Sequence, residues 1–277
     1  MADNVLKAVD LHSVVRDPFP HVVVRNALPS QAYEDLSGSF PVKGVMDCRQ
    51  RTADNVAVRL GARDVLNHDA IPSNWRKFFA EHTSHDYWIE LVRVFGDAIR
   101  AMHPNLEKRI GKPLAGFDVG VRGTSGKRDI SLECQFVINT PSRETSSVKT
   151  PHVDKRQTLL AGLFYMREAG DTSAGGDLDF YTWKREPRFL VNRMILPSDV
   201  SKVSTVGYDK NTLVCFINSP ISVHGVSPRG PSFLPRRYIN FIVETDFHLF
   251  RAPGVGPIAR LQHWNDAKAI RHSSRFH

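Results

Sequence analysis

The chain has 277 residues, 41% of them hydrophobic, and a formal net charge of +8 at neutral pH. That composition supports one large buried core, and no run approaches the ~20 apolar residues of a membrane-spanning helix. Three widely spaced cysteines, Cys48, Cys134 and Cys215, form no CxxC pair. This argues against a disulfide scaffold or thiolate zinc site and for a reducing, cytoplasmic setting. The basic residues fall in scattered pairs such as Arg49/Arg51, Lys108-Arg109 and Arg236-Arg237. Without a basic helix or an aromatic platform, that charge reads as solvated surface, and a nucleic-acid partner is disfavoured.

Residues 1–113 read as an N-terminal helical layer of the same domain. His21-Val22-Val23-Val24-Arg25 is a β-branched strand. Pro29-Ser30 opens a helix through Tyr33 and Leu36, closing near Gly38. A second begins at Pro72-Ser73, with Trp75, Phe78 and Phe79 at helical spacing. Ser84 caps a longer one, whose Trp88, Leu91, Val92, Phe95, Ile99 and Met102 keep the helical period up to His103-Pro104. His82 and His85 straddle that cap and read as a solvent-exposed helix start.

After Pro113 the period changes to two. Residues 117–122 are extended, Gly123 to Gly126 reads as a hairpin loop, and Ile130 to Ile138 alternate with polar neighbours. Further strands are expected at 158–166, 178–181, 213–217 and 237–245, with 184–210 as a polar excursion. A C-terminal extension, 248–277, has a closing helix from Pro257, and His263, His272 and His277 read as surface residues. The fold class expected is α+β: a jelly-roll core over 114–247, buttressed by the N-terminal helices.

The chemistry gathers at Thr150-Pro151-His152-Val153-Asp154. In an extended segment His152 and Asp154 share a face while Val153 points back into a core. His224, in Ser222-Val223-His224-Gly225-Val226, is the candidate third ligand. Two imidazoles and one carboxylate on one side of an ion leave the opposite positions open, the arrangement of non-haem Fe(II) oxygenases. An ion so ligated keeps a positive charge and favours an anionic chelating cosubstrate. If that is 2-oxoglutarate, its far carboxylate needs a buried cation, and arginine's planar fork suits it. Arg237 shares a strand face with Ile239, Phe241 and Val243 and is the first choice, with Arg229 and Arg236 as alternatives.

The set His152-x-Asp154, His224 and Arg237 resembles the 2-oxoglutarate/Fe(II)-dependent dioxygenases, in particular the prolyl 4-hydroxylase-like branch. Leu163-Phe164-Tyr165-Met166 is similar to the strand where a tyrosine helps hold the cosubstrate. Gly175-Gly176-Asp177-Leu178 is similar to the family's Gly-Gly-x-Leu turn, and 211–216 to the strand before the distal histidine. The resemblance spans roughly residues 114–247. It implies a double-stranded β-helix, Fe(II) at His152, Asp154 and His224, and 2-oxoglutarate at Arg237 with Tyr165. O2 would be the second cosubstrate and ascorbate a reductant. The implied reaction hydroxylates an unactivated C–H bond of a small-molecule or peptidyl substrate, releasing succinate and CO2. The usual tyrosine upstream of the first histidine is missing, and Gln135 or Asn139 stands in its place. The excursion at 184–210, the Gly123–Lys127 loop and the loop 227–235 are expected as lids or walls. Their Arg185, Arg188, Arg193 and Arg229 hint at an acidic or phosphorylated substrate. Two other readings remain: a nucleic-acid demethylase, whose Arg-x-Asn-x-Thr-x-Arg signature 237–243 does not match, and a metal-free jelly-roll binding module.

Overall fold

The computed structural model describes residues 4–41, 54–147, 149–189 and 195–251. Cys48, Arg49, Arg51, Arg193, the closing helix expected from Pro257 and the last three histidines lie outside them. The N-terminal segment carries β1 (His21–Arg25), α1 (Ser30–Gly38), β2 (Ala57–Gly61), α2 (Ala62–Leu66), α3 (Ser73–Glu81), α4 (His85–Met102) and α5 (Leu106–Ile110). The strands β3 (Val119–Val121), β4 (Ile130–Asn139), β5 (Thr158–Tyr165) and β6 (Leu178–Trp183) follow. Then come β7 (Val200–Val206), β8 (Thr212–Ile217), β9 (Val223–Val226) and β10 (Arg236–Glu244).

Helix starts obey local chemistry. Both α1 and α3 begin directly after a proline, whose carbonyl accepts the first helical N–H, Tyr33 N at 3.0 Å and Arg76 N at 3.1 Å. Helix α4 starts at Ser84, whose Oγ accepts from Tyr87 N at 3.1 Å, and ends at Met102, two residues before Pro104.

Among the described residues the strands form two sheets. The larger runs β1-β8-β5-β10-β4-β2, antiparallel throughout, with β3 parallel on β4; the smaller runs β7-β6-β9. Isolated bridges Ser142↔Ser232, Ser146↔Arg229 and His152↔His224 extend the smaller sheet beyond β9. The large sheet is buried on both faces. Phe136, Phe164, Ile239, Phe241 and Val243 meet the helices on one side; Phe136 lies 4.7 Å from Trp75 and 4.6 Å from Phe79 between ring centroids. Val137, Ala161, Phe216 and Tyr238 point the other way, onto Leu178 and Phe180 of the smaller sheet. Burying each such large side chain contributes roughly 1.5–3 kcal/mol. The α+β architecture expected above is thus present.

Four local expectations differ. Residues 1–113 hold, besides the expected strand β1, an unforeseen β2: β1 pairs with β8 and β2 with β4, so this segment supplies both outer strands of the large sheet. The Gly123–Gly126 stretch is no hairpin, because β3 runs parallel to β4. Arg128 holds that return open by donating to Val121 O and Thr124 O at 3.0 and 2.7 Å. The polar excursion contains β7, whose exposed outer residues hide the alternation that would announce it. Finally, His82 is fully buried, 3.9 Å from the Phe78 ring and 5.1 Å from Phe241, while His85 is exposed.

Candidate metal centre

His152 and His224 are brought together by a single β-bridge. Each accepts the other's backbone N–H, His152 N to His224 O at 2.9 Å and His224 N to His152 O at 3.0 Å. Directly opposed residues across such a bridge put their side chains on one face, and the two imidazole centroids lie 4.2 Å apart. Val153 turns inward to Phe189, Ile195, Val200 and Val223, which leaves Asp154 beside the imidazoles as the spacing predicts. Asp154 Oδ1 is 3.9 Å from His152 Nε2, and Oδ2 is 3.7 Å from His224 Nε2. One ligand atom from each of the three lies within 4.8 Å of the others. Ligands adjacent around an ion at ~2.1 Å stand roughly 3 Å apart, so a small side-chain rotation closes the set.

Protonation suits ligation. His152 Nδ1 lies 2.8 Å from Thr150 O and His224 Nδ1 lies 3.0 Å from Ser222 O, the geometry of N–H donors. Each Nε2 lone pair is thereby free, and that of His152 is buried with no hydrogen-bond partner, as expected of an atom awaiting a ligand. Burial lowers both imidazole pKa values, reinforced at His152 by the nearby His224 and Lys149, so both stay neutral. Burial opposes ionisation of Asp154, but the imidazoles and Lys149 Nζ, 3.5 Å away, outweigh it and hold the carboxyl below its ordinary pKa. Asn218 braces the turn: its Oδ1 accepts from Asp154 N at 3.2 Å, and its Nδ2 donates to Lys155 O and Thr158 O. Its own carbonyl accepts from His103 Nε2 at the end of α4, at 2.9 Å. Sequence reading missed Asn218, since a backbone brace leaves no motif.

The three ligands open into a cavity of about 380 Å3 floored by β4, β5 and β10. Gln135 and Asn139 both line it, with Gln135 Oε1 3.4 Å from Asn240 Nδ2. Among the described residues, none from the excursion, the Gly123–Lys127 loop or 227–235 does, against the expectation that these form its walls. Arg185 and Arg188 are instead engaged by buried Asp199, at 2.6 and 3.0 Å, and Arg229 by buried Asp171 at 3.0 Å.

Arg237 does share a face with Ile239, Phe241 and Val243, but that face looks at the helices, away from the cavity. Its Nε donates to Met166 O at 3.1 Å, Nη1 pairs with Glu168 at 3.5 Å, and the guanidinium lies 5.1 Å from the Phe40 ring centroid. Alternation identifies residues that share a face without saying which face holds the ion. Arg236 takes the other face. It is buried, donates from Nε to Gly176 O at 2.8 Å and sits 5.2, 4.8 and 4.7 Å from the ring centroids of Tyr165, Tyr208 and Tyr238. Its Nη1 lies 3.4 Å from Asn139 Oδ1. Three buried donors here have no partner: Arg236 Nη2, Tyr165 Oη and Asn139 Nδ2. Burial raises the Tyr165 pKa against the opposing pull of Arg236, so the phenol keeps its proton. The glycine pair makes this possible. A Cβ on Gly176 would lie 3.3 Å from Arg236 Cδ, one on Gly175 only 1.9 Å from Pro228 O, and both have φ near +75°.

No family model matches the chain, and no curated protein matches it. Among solved structures it is similar to a prolyl-4-hydroxylase from Pseudomonas putida, at 14% identity, TM-score 0.42, over 82% of this chain and 93% of that one. A dioxygenase for auxin oxidation in rice aligns at 15% identity and TM-score 0.41, over 92% of this chain and 85% of that one. A 2OG-Fe(II) oxygenase family oxidoreductase from Burkholderia pseudomallei aligns at 10% identity and TM-score 0.41, over 84% and 88%. The solved proteins the chain is similar to thus include prolyl-4-hydroxylases and 2OG-Fe(II) oxygenase family proteins, at low identity and modest TM-score.

Proposed function

We propose that the chain is an Fe(II)- and 2-oxoglutarate-dependent dioxygenase that hydroxylates an unactivated C–H bond of a small-molecule or peptidyl substrate. The observation that carries this is a pairing of two sites on one sheet face. Three ligand atoms lie within 4.8 Å at the mouth of a cavity, and unpartnered donors of Arg236, Tyr165 and Asn139 gather further along the same face. An unpaired buried donor is costly, so such a group calls for an acceptor, and a carboxylate supplies several lone pairs at once. His152, Asp154 and His224 would hold the ion; Arg236, rather than Arg237, would anchor the far carboxylate, with Tyr165 and Asn139 donating to it. When bound, iron with 2-oxoglutarate and O2 supplies the oxidation itself. The protein's part is to keep two neutral imidazoles and one carboxylate aimed, bind the cosubstrate and exclude water.

The strand order supports the double-stranded β-helix reading. After β4 the chain crosses to Ser146 and His152, bridged to Arg229 and to His224 of β9, back to β5, over to β6 and β7, back to β8, then β9, then β10. The reading is tested by anaerobic addition of Fe(II) and 2-oxoglutarate, which should give a visible metal-to-ligand charge-transfer band. Succinate release should then follow over a panel of amino acids, peptides and sugars. Absence of both the band and succinate refutes it.

A further inference from the structure

We propose that the substrate carries an anionic group, a carboxylate or a phosphate, that pairs with Arg59 at the rim of the cavity. This rests on the oxygenase reading and adds a charge class to its substrate. The cavity wall holds four cations, Arg59, Arg122, Lys149 and Lys155, against two carboxylates, Asp154 and Glu244. A divalent ion and a dicarboxylate cosubstrate cancel each other, so the wall keeps a positive excess when both are in place. Two of the cations are already engaged. Lys149 sits 3.5 Å from Asp154, and Arg122 lies 3.4 Å from Glu244 and 3.9 Å from Glu133. Among the described residues, Arg59 and Lys155 make no ion pair.

Arg59 is the better placed of the two. On β2, Val58 and Leu60 pack into the helix-side core while Ala57 packs between the sheets, so Arg59 projects to the face that holds the metal ligands. Its register neighbours are Val137 and, beyond it, Tyr238, a cavity-lining residue. Both are exposed, but a strand fixes the direction of the Arg59 stem and its guanidinium offers a planar fork suited to carboxylate or phosphate, whereas Lys155 lies outside any strand and carries a point charge. Leu163, Ile242 and the Gln135–Asn240 amide pair line the same cavity. That surface suits a short apolar or hydrogen-bonding body behind an anionic head. The cavity's 380 Å3 is at the small end of ligand sites, enough for the cosubstrate and a small substrate or one end of a larger one.

The test titrates butyrate, butyl phosphate and butyramide, three heads on one chain, by calorimetry into protein loaded with Fe(II) and 2-oxoglutarate without oxygen. We expect at least one anion to bind about tenfold or more tighter than the amide. Arg59→Gln should erase the difference and Arg59→Glu invert it, while the charge-transfer band stays as in wild type. Binding of butyl phosphate alone identifies phosphate as the head; binding of both anions shows that a carboxylate suffices. The same preference in the His152→Ala variant separates Arg59 from direct ligation of the ion. Equal binding of the amide and the anions, or an undiminished preference in Arg59→Gln, overturns the proposal. If wild type gives neither the charge-transfer band nor succinate, the oxygenase reading fails by itself, and the anion preference is still decided by titrating the metal-free protein.

Discussion

Two adjacent arginines on one strand have opposite fates, and exchanging them in the experiment separates binding from stability. Arg236 faces three tyrosine rings with one nitrogen unpaired; Arg237 faces the helices and is bonded to Met166 O and Glu168. Arg236→Gln should weaken 2-oxoglutarate binding tenfold or more in an anaerobic titration of the charge-transfer band. Arg237→Gln should leave that affinity intact and cost about 1–3 kcal/mol in denaturant unfolding, because the carbonyl of buried Met166 loses its donor. Asp154→Ala should abolish stoichiometric iron, read by metal analysis of the anaerobically loaded protein, while the circular dichroism spectrum stays that of wild type. The two histidines alone leave an incomplete set.

At the scale of elements, the molecule depends on a few junctions. Ser84 closes the first turn of α4, the helix that covers much of the large sheet, and Ser84→Ala should lower stability by about 1 kcal/mol in urea unfolding. The Gly175-Gly176 turn is less forgiving. A methyl at Gly175 would sit 1.9 Å from the Pro228 carbonyl, so the turn or the 227–230 segment must move, and Arg236 with it. Gly175→Ala should therefore reduce both the melting temperature and 2-oxoglutarate affinity, unlike Ser84→Ala, which should touch only the first. Helix ends, the Gly-Gly turn and the period-two run of β4 were legible because each depends on contacts a few residues apart. Strands β2 and β7 were not: β2 carries Arg59 and Gly61 on a short edge, and the middle of β7 faces solvent.

For the whole molecule, pH enters through the core. His82 is enclosed by Phe78, Tyr87 and Phe241; Nδ1 lies 2.7 Å from Phe78 O and Nε2 accepts from Val5 N at 3.2 Å. Burial lowers its pKa from 6.5 to about 4, with the Phe78 carbonyl pulling the other way. The folded value is the lower one, so between about 6.5 and 4 the unfolded chain binds a proton that the folded chain refuses. Stability is complete above that window and falls as pH drops through it, by at most about 3 kcal/mol from this residue. A His82→Leu variant should show a flatter decline in urea midpoint between those pH values. An unchanged slope would move the acid sensitivity elsewhere, His103, His152 and His224 being the other buried imidazoles lowered by desolvation. The sequence by itself determined the residue types and their periods: an α+β chain, a His-x-Asp turn with a distal histidine, and two arginines near a strand start. It does so because helix caps, strand alternation and ligand chemistry are local properties. Which arginine lies on the side of the sheet that carries the metal ligands, that His82 is interior, and that Arg59 lines the cavity with no ion pair among the described residues were decided only by tertiary packing. A sheet buried on both sides has two apolar faces, and only the placement of helices on one of them distinguishes core from site.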